Sequence, residues 1–274
     1  MKIYLDGRFV EEKEARVSIL DPGFLYGQGA FETMRAYNKK IFRLKSHIER
    51  LFKALPLLGI KIEEGPETLK EAVLKSLSEN NLKDAYARLT IWQGADRGHI
   101  AIFSGSYDFL QKEDYRKGFR AVISKHFRQN EFSPLSGIKS ANYLPMLLAY
   151  RQAKAQGYDE ALLLNTQGFL SEASRANIFF IKDNCLITPS LDCGCLPGIT
   201  RDTILSIAAK EKIEIVEAKS SAEELKKADE AFLTNSLIEV MPLAEVDGRP
   251  ILKGKPGKIT ELILKRYRSL ILNL

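Results

Sequence analysis

Segments with the pattern of β-strands and segments with the pattern of amphipathic helices follow one another along the whole chain. One polar run, Gln111–Gly118, separates them into two groups. A chain of 274 residues forms one large domain or two smaller ones, with ample material for a core in either case. We therefore predict a small α/β domain at residues 1–112, a linker at 113–118 and a larger domain at 119–274.

The first group opens with an apolar stretch on each side of Asp6-Gly7, a pair that favours a tight hairpin turn. Ser46 and Glu49 have the spacing of a capping box, which predicts the start of a helix. The predicted elements of this group are hairpins at 3–10 and 31–44, helices from Ser46 and from about Pro66, and a strand at 85–92.

The second group shows a further capping box, Ser221 with Glu224, and an Asp247-Gly248 pair that is typical of a turn between two strands. No internal repeat or low-complexity segment interrupts the group. Its other predicted elements are strands at 119–125, 160–164 and 177–181, and helices at about 143–156, from Thr200 and from Lys258 towards Leu272.

Charge, apolar run length and cysteine spacing argue against a nucleic-acid partner, a membrane partner and a zinc site. The 41 Lys and Arg residues are interleaved with 35 acidic ones, so the net charge of +6 predicts small anionic ligands rather than nucleic acid. No apolar run approaches the roughly 20 residues of a membrane helix, so we expect no membrane partner. Three cysteines do not make a disulfide framework and lack histidines spaced for a zinc site. A cytoplasmic protein is predicted.

Lys139 and Glu172 carry the most chemical information in the chain. A lysine at the edge of a buried pocket can lose its proton and attack a carbonyl group to form a Schiff base. A carboxylate against a pyridine nitrogen keeps that ring protonated, so the ring can draw electrons from a bound substrate. Together the two residues indicate an enzyme that uses pyridoxal phosphate, although a lone lysine would be read as solvated surface.

The segments around this pair strengthen that interpretation. They are, in order, Asp21–Arg35, Ser46–Leu51, Ser136–Pro145, Leu170–Phe180, Leu196–Arg201 and Leu233–Pro242. In this order the chain resembles the class IV aminotransferase family, also called the fold type IV pyridoxal phosphate enzymes, over nearly its whole length. The resemblance implies a small N-terminal α/β domain, a larger C-terminal pseudo-barrel domain and a homodimer whose pockets borrow a loop from the neighbouring subunit.

The start of the helix at Thr200 is a candidate phosphate site. Helix N-termini bind phosphate through free backbone amides and the helix dipole, although this sequence alone is an ordinary helix start. The resemblance implies that the backbone approaches the phosphate closely at Gly198, that the amides of Ile199 and Thr200 donate to it, and that Thr200 supplies a hydroxyl.

Four further residues are expected to bind the cofactor. Arg50 of His47-Ile48-Glu49-Arg50-Leu51 reads as a surface arginine by itself, but the resemblance implies a charged partner for the phosphate. Asn235 and Ser236 correspond to the family's hydroxyl-bearing turn near the phosphate. Tyr143, four residues after Lys139, could touch the cofactor or belong to the core.

The reaction is less well defined than the cofactor. The family includes branched-chain transaminases, D-amino acid transaminases, R-selective amine transaminases and 4-amino-4-deoxychorismate lyases. Thr33 stands where branched-chain transaminases usually carry glycine, and Thr234–Glu239 resembles the corresponding segment of the lyases. Asp96-Arg97-Gly98-His99 resembles their "R-G-Y" segment with histidine in place of tyrosine. We therefore favour the lyase over the aminotransferase.

A lyase would convert aminodeoxychorismate into 4-aminobenzoate, a folate precursor, and pyruvate, with Lys139 as the general base. The alternative is a D-amino acid or branched-chain aminotransferase with 2-oxoglutarate or pyruvate as acceptor. Expected substrate contacts are Arg97, His99, Thr33 and Tyr26. A non-catalytic binding protein of the same fold would be expected to have lost Lys139 or Glu172, and both are present.

Overall fold

The chain folds as two compact units in the computed structural model, which describes all residues from 1 to 274. The first unit comprises 1–108, the short segment 138–143 and Leu274, and the second comprises 109–137 and 144–273. The chain therefore leaves the first unit after Asp108 and returns to it only for the segment that contains Lys139 and for the last residue. The domain limits at 112 and 119 stay a prediction.

The first unit is built on an antiparallel sheet. Its strands are β1 (Lys2–Leu5), β2 (Arg8–Glu11), β3 (Gly29–Tyr37), β4 (Lys40–Ile41), β5 (Ala85–Gln93) and β6 (Gly98–Ser106). They are ordered β2-β1-β6-β5-β3-β4. The helices are α1 (Pro22–Tyr26), α2 (Leu44–Ala54) and α3 (Pro66–Glu79).

The core of this unit follows from the alternation of β5. Ala85, Ala87, Leu89 and Ile91 are fully buried, and they pack in one cluster with apolar residues of α2 and α3. Side chains of a strand alternate between its two faces, so every second residue of β5 belongs to the core. The predicted strand and the helix from Pro66 are confirmed, as is the hairpin of β1 and β2.

The predicted capping box of Ser46 and Glu49 is wrong. The helix α2 begins at Leu44, and its N-cap is Arg43 in the left-handed conformation with φ 57°. This tight turn and the packing of Leu44 against the core start the helix before Ser46, which therefore lies inside it. The hairpin at 31–44 is present, but its second strand, β4, has only two residues.

The second unit contains a larger, mixed sheet. Its strands are β7 (Phe119–Gln129), β8 (Glu160–Asn165), β9 (Leu170–Ala173), β10 (Asn177–Lys182), β11 (Cys185–Pro189), β12 (Ile215–Ala218), β13 (Glu230–Asn235), β14 (Glu239–Val246) and β15 (Arg249–Pro250). The order is β12-β11-β10-β13-β14-β7-β8-β9, with β15 paired to β14. The helices are α4 (Lys112–Lys117), α5 (Leu144–Ala155), α6 (Ile199–Lys210), α7 (Ala222–Lys226) and α8 (Lys258–Leu272).

This sheet curls towards closure. The backbone N–H of Leu170, the first residue of β9, donates to the carbonyl oxygen of Ser220, two residues beyond β12, at 2.7 Å. The strands β9 and β12 stand at opposite ends of the sheet order, so this bond brings the two ends together. The fold class predicted from the sequence, a small α/β part followed by a pseudo-barrel, is confirmed.

Several elements of the second unit agree with the sequence pattern. Helix α8 has the predicted bounds, and Ser221 with Glu224 forms the predicted capping box of α7. The polar run predicted as a linker instead forms α4, because Gln111 and Asp114 make a capping box and Tyr115 is buried. None of the helices combines the length and apolar character needed to span a bilayer.

Candidate active site

Lys139 is held by a backbone ladder in the first unit. The N–H of Phe31 donates to the carbonyl oxygen of Lys139 at 3.0 Å, and the N–H of Ala141 donates to the carbonyl oxygen of Gly29 at 2.7 Å. With the bridge between Ala30 and Ser140, these bonds add one short antiparallel rung to β3. This pairing is the reason that Lys139 belongs to the first unit, and it fixes the side chain beside Phe31.

The half-buried Lys139 lies among aromatic rings and a second cation, which together form the lysine group (Lys139, Phe31, Tyr143 and Arg88). Its Nζ is 4.7 Å from the ring centroid of Phe31 and 5.7 Å from that of Tyr143. The two rings meet edge to face at 5.5 Å. The guanidinium carbon of Arg88 lies 3.7 Å from the Phe31 centroid, so two cations share one aromatic ring.

Arg88 is an unusual cation for a strand residue. Burial lowers its pKa, which the nearby Tyr143 partly offsets. No carboxylate forms a salt bridge with it among the ion pairs of the chain. A desolvated guanidinium without an internal anion is a suitable anchor for an anionic ligand. No motif in the sequence marks Arg88 as a site residue.

Glu32, which follows Phe31 on β3, forms a buried ion network with two residues of α2, His47 and Arg50. We call these three residues the ion network. Arg50 donates from Nε and Nη2 to the two carboxylate oxygens of Glu32, each at 2.7 Å, and His47 Nδ1 lies 2.7 Å from Glu32 Oε2. Burial would raise the pKa of Glu32, but the charges and hydrogen bonds of Arg50 and His47 lower it to about 2. Burial lowers the pKa of His47, although Glu32 opposes this.

The ion network therefore pairs an ionised glutamate with an arginine and with a histidine whose charged form is disfavoured by burial and favoured by Glu32. Since Glu32 grips Arg50 along its Nε–Nη2 edge, the orientation of the guanidinium is fixed in a forked, two-bond geometry. Arg50, predicted to bind the phosphate, is mostly buried with 15% of its side chain exposed. Its role towards a phosphate stays a prediction, and the network was not foreseen.

Arg97 and His99 are both engaged by one carboxylate. Asp6, at the turn of the first hairpin, lies 2.7 Å from His99 Nδ1 and 3.6 Å from Arg97 Nη2. The imidazole of His99 also stacks on Trp92 at 5.4 Å. Arg97 and His99, both expected to contact substrate, therefore already share a carboxylate within this chain.

Thr33 and Tyr26 occupy different settings. Thr33 stands on β3 directly opposite Arg88 of β5, which places it beside the lysine group. Tyr26 is the last residue of α1, and 74% of it is exposed. The contacts of Thr33 and Tyr26 with substrate stay a prediction.

The half-buried Glu172 lies on β9 in the second unit, in a set of hydrogen bonds that we call the carboxylate group (Glu172, Leu196, Asn177 and Gly198). The N–H of Leu196 donates to Glu172 Oε2 at 3.1 Å. The side chain of Asn177 donates from Nδ2 to the carbonyl oxygen of Leu196 at 2.8 Å. Leu196 is thus held on one side by Glu172 and on the other by Asn177.

The helix α6 begins directly after this group. Its N-cap is Gly198, in extended conformation, and no side chain caps the first turn. The first amides of a helix have no intrahelical acceptor, so those of Ile199 and Thr200 are oriented to bind an anion. Thr200 is buried, and a Cβ added to Gly198 would lie 2.0 Å from Asn177 Oδ1, so a larger residue at 198 would have to displace the Asn177 side chain.

The turn after β13 is tied to the loop that follows Glu172. Asn235 donates from Nδ2 to the carbonyl oxygen of Arg175 at 2.8 Å and accepts from the N–H groups of Leu237 and Ile238. This arrangement fixes the turn that contains the half-buried Ser236. The preceding Thr234 is fully buried, and its hydroxyl has no hydrogen-bond partner.

The second unit offers donors that suit a phosphorylated pyridine. A dianionic phosphate requires N–H and hydroxyl donors, which the start of α6 and the Ser236 turn provide. A pyridine nitrogen requires a carboxylate partner to remain protonated, which Glu172 provides. These residues of the second unit therefore fit the phosphate and the ring nitrogen of pyridoxal phosphate, and the bond of Lys139 to its aldehyde stays a prediction.

Comparison with known proteins agrees with this geometry. The pattern of the amino-transferase class IV family matches residues 29–246. A relative from Methanocaldococcus jannaschii, provisionally named a branched-chain-amino-acid aminotransferase, is 40% identical over 280 residues, which cover 98% of this chain and 96% of that protein.

Solved structures show the same likeness. The branched-chain aminotransferase of Thermoproteus uzoniensis, solved with norvaline, has a TM-score of 0.93 and 35% identity over 100% of this chain and 95% of that one. The T.th. branched-chain amino acid aminotransferase, solved with pyridoxamine 5'-phosphate, has a TM-score of 0.93 and 31% identity over 98% and 93% of the two chains.

The chain belongs to the class IV aminotransferase family and has its fold. It is a pyridoxal phosphate-dependent enzyme of the transaminase type. The relatives are named branched-chain aminotransferases and not aminodeoxychorismate lyases, so the comparisons favour the aminotransferase alternative over the lyase. The folate assignment has no support among these names. The cues for the lyase rested on a few positions, such as Thr33, within a scaffold that both reactions share.

Proposed function

We propose that the protein is a branched-chain-amino-acid aminotransferase. It would move the amino group of a branched α-amino acid to an α-keto acid such as 2-oxoglutarate. The observation that carries the proposal is the lysine group, in which the reactive amine and an unpaired guanidinium share the Phe31 ring. The likeness to branched-chain enzymes over nearly the whole chain supports it.

The geometry of the lysine group suits such substrates. Amino and keto acids carry a carboxylate, which a desolvated guanidinium such as Arg88 binds more strongly than water-exposed arginines do. Branched aliphatic side chains need an apolar surface, which Phe31 and Tyr143 offer. Arg97 is a weaker candidate because Asp6 already balances its charge and half of its side chain is exposed.

Each residue would have one task. Pyridoxal phosphate supplies an electron-withdrawing ring when bound, and it is the group that carries the amino nitrogen. Lys139 would hold the aldehyde and then move a proton at the substrate α-carbon. Glu172 would hold the proton on the ring nitrogen, while α6 and the Ser236 turn would bind the phosphate. Arg88 would orient the substrate through its carboxylate.

A substrate assay tests the proposal. Purified enzyme is incubated with pyridoxal phosphate, 2-oxoglutarate and leucine, isoleucine or valine, and glutamate formation is measured. We expect turnover with L-branched donors and much slower turnover with aspartate or D-amino acids. Pyruvate release from aminodeoxychorismate without a keto acid, or a strong preference for D-amino acids, would refute the proposal.

A pair of arginine variants tests the substrate anchor. Arg88→Leu is expected to raise KM for 2-oxoglutarate about 10- to 100-fold, because a charge-assisted hydrogen bond is lost. Arg97→Leu is the matched control in the same unit and should change KM by no more than about twofold. The reverse order of the two effects would restore the predicted clamp of Arg97 and His99.

We also infer a homodimer. Three large apolar side chains near α1, Ile19, Leu20 and Phe24, are 69%, 71% and 64% exposed, which favours a protein–protein contact. Light scattering of the purified protein should give twice the mass of 30.9 kDa, and Phe24→Glu should shift it towards the monomer. A monomeric wild type would exclude this. The cytoplasmic location stays a prediction, which fractionation of source cells would test.

A further inference from the structure

Asn177 is a buried polar residue to which the proposed reaction gives no task. It opens β10, lies opposite Thr234 in the sheet and is 6% exposed. A strand residue at this depth is usually apolar, and an amide is retained there when its hydrogen bonds are satisfied. The partner of its Nδ2 is the carbonyl oxygen of Leu196 at 2.8 Å.

Leu196 connects Asn177 to two groups that the proposed function assigns to the cofactor, Glu172 and the start of α6. On one side its N–H donates to Glu172 at 3.1 Å. On the other side the chain continues through Pro197 to Gly198, the N-cap of α6. The backbone of this one residue therefore contacts the Glu172 carboxylate and lies two residues before the N-cap of the helix.

The packing around Gly198 confirms how closely Asn177 approaches this turn. A Cβ on Gly198 would come within 2.0 Å of Asn177 Oδ1, far inside contact distance. The backbone of Gly198 has φ −71°, a conformation that every residue adopts. Glycine is therefore required at this position by the Asn177 amide and not by the backbone angle.

We propose that Asn177 is a positioning residue that sets the Glu172 carboxylate relative to the N-terminus of α6 by holding the Leu196 backbone between them. This proposal rests on the roles given to Glu172 and α6 under the proposed function. Asn177 acts on the cofactor through these neighbours. It controls how well the pyridine nitrogen and the phosphate are bound at the same time.

The first experiment compares Asn177→Asp with Asn177→Ala. Aspartate keeps the shape but cannot donate to the Leu196 carbonyl when ionised, whereas alanine removes both the hydrogen bond and the contact with Gly198. Each variant is expected to weaken binding of pyridoxal phosphate to the apoprotein about 10-fold or more. Aspartate should be the worse of the two, because it places two like charges against the same stretch of backbone.

A spectroscopic signal separates positioning from general stability. With 15N-labelled pyridoxal phosphate, the ring-nitrogen chemical shift reports whether the nitrogen is protonated. In both variants it should move towards neutral pyridine, since a displaced carboxylate stabilises the protonated ring less. Asn165→Ala is the matched control, because this buried asparagine also holds backbone amides in the second unit, those of Gln167 and Phe169. It should lower thermal stability without moving the nitrogen signal.

A double-mutant cycle tests the contact with Gly198. Gly198→Ala should weaken cofactor binding in the wild type, because its Cβ displaces Asn177. In the Asn177→Ala background the same change should cost clearly less, since the clash is gone. Additive effects would contradict the proposed coupling.

The outcomes distinguish this proposal from the function on which it rests. If Glu172→Ala leaves the nitrogen signal unchanged, the assignment of the carboxylate fails, and this proposal fails with it. If Glu172→Ala moves the signal while both Asn177 variants behave like Asn165→Ala, only the role of Asn177 is overturned. Weaker cofactor binding together with a shifted nitrogen signal in both Asn177 variants supports the proposal.

Discussion

The lysine group with its ion network and the carboxylate group hold their functional side chains by different physics. In the first unit, an ionised glutamate grips Arg50 and two cations share the Phe31 ring. In the second unit, Glu172 and Asn177 hold a neutral stretch of backbone at Leu196 by hydrogen bonds. The first arrangement is stabilised by attraction between charges and the second by hydrogen bonds to neutral backbone groups. Removing a charged side chain should therefore lower the free energy of unfolding far more in the first unit than in the second.

The largest effect is expected from the reactive amine. Lys139→Ala should lower kcat about 1,000-fold or more, because it removes both the covalent anchor and the group that moves the proton. Lys139→Arg keeps the positive charge but should restore nothing, which separates chemistry from electrostatics. Steady-state transamination measures both. The exposed Lys53→Ala on α2 is the control, and substantial activity in Lys139→Ala would refute the assignment.

The next effect compares two glutamates. Glu32→Ala removes the carboxylate that balances the buried charge of Arg50 and should lower the free energy of unfolding by about 3–5 kcal/mol. Glu172→Ala loses the hydrogen bond from a backbone amide and should cost about 1 kcal/mol. Urea unfolding of the apoproteins measures both. If the two variants lost equal free energies of unfolding, the ion network would not depend on charge more than the carboxylate group does.

The contribution of Glu32 to the free energy of unfolding should depend on pH. The pKa of Glu32 is about 2 in the folded chain and 4.5 as its ordinary value, so its contribution to stability is present above about pH 4.5 and is lost as the pH falls towards 2. The full contribution is roughly 3 kcal/mol. Unfolding free energies of wild type and Glu32→Gln should therefore differ by a constant amount above about pH 4.5 and converge as the pH falls from there towards 2. A gap that stays constant with pH would contradict this.

The smallest effect concerns the reactivity of the three cysteine thiols, two of which, Cys193 and Cys195, directly precede Leu196. Burial raises the pKa of Cys195 to about 12 and also raises that of Cys193, so neither thiol should react at about pH 8. Burial also raises the pKa of Cys185, but this thiol is partly exposed whereas the other two are buried, so iodoacetamide should label native protein only at Cys185 and leave activity almost unchanged. Peptide mass spectrometry locates the label. Alkylation of Cys195 in the native protein would disprove the predicted inertness.

The sequence predicted the parts of the site that local motifs encode. Lys139, Glu172 and the helix start after Gly198 stand in segments whose order identifies the family and its cofactor. Arg88 could not be found in this way, because the role we propose for it depends on its place beside Phe31, which arises from the pairing of β5 with β3. Asn177 was likewise hidden, since its partner Leu196 is distant in sequence.

The fold, like the candidate site, could be predicted from the sequence only in part. Long periodic segments such as β5 and α8 matched their patterns, because apolar spacing and burial agree there. The start of α2 was misplaced because a left-handed turn at Arg43 overrode the capping signal of Ser46. Short strands such as β9 and β12 take their form from neighbours in the sheet, which a local pattern does not record.

The rung that 139–141 adds to β3 has a consequence for synthesis on the ribosome. Until that segment has emerged, the edge of β3 at Gly29 and Phe31 presents unpaired N–H and C=O groups, which invite pairing with other chains. The amino-terminal unit can complete its sheet only after part of the following unit has been made. A gene split after codon 108 would therefore yield an aggregation-prone fragment, because its sheet lacks this rung.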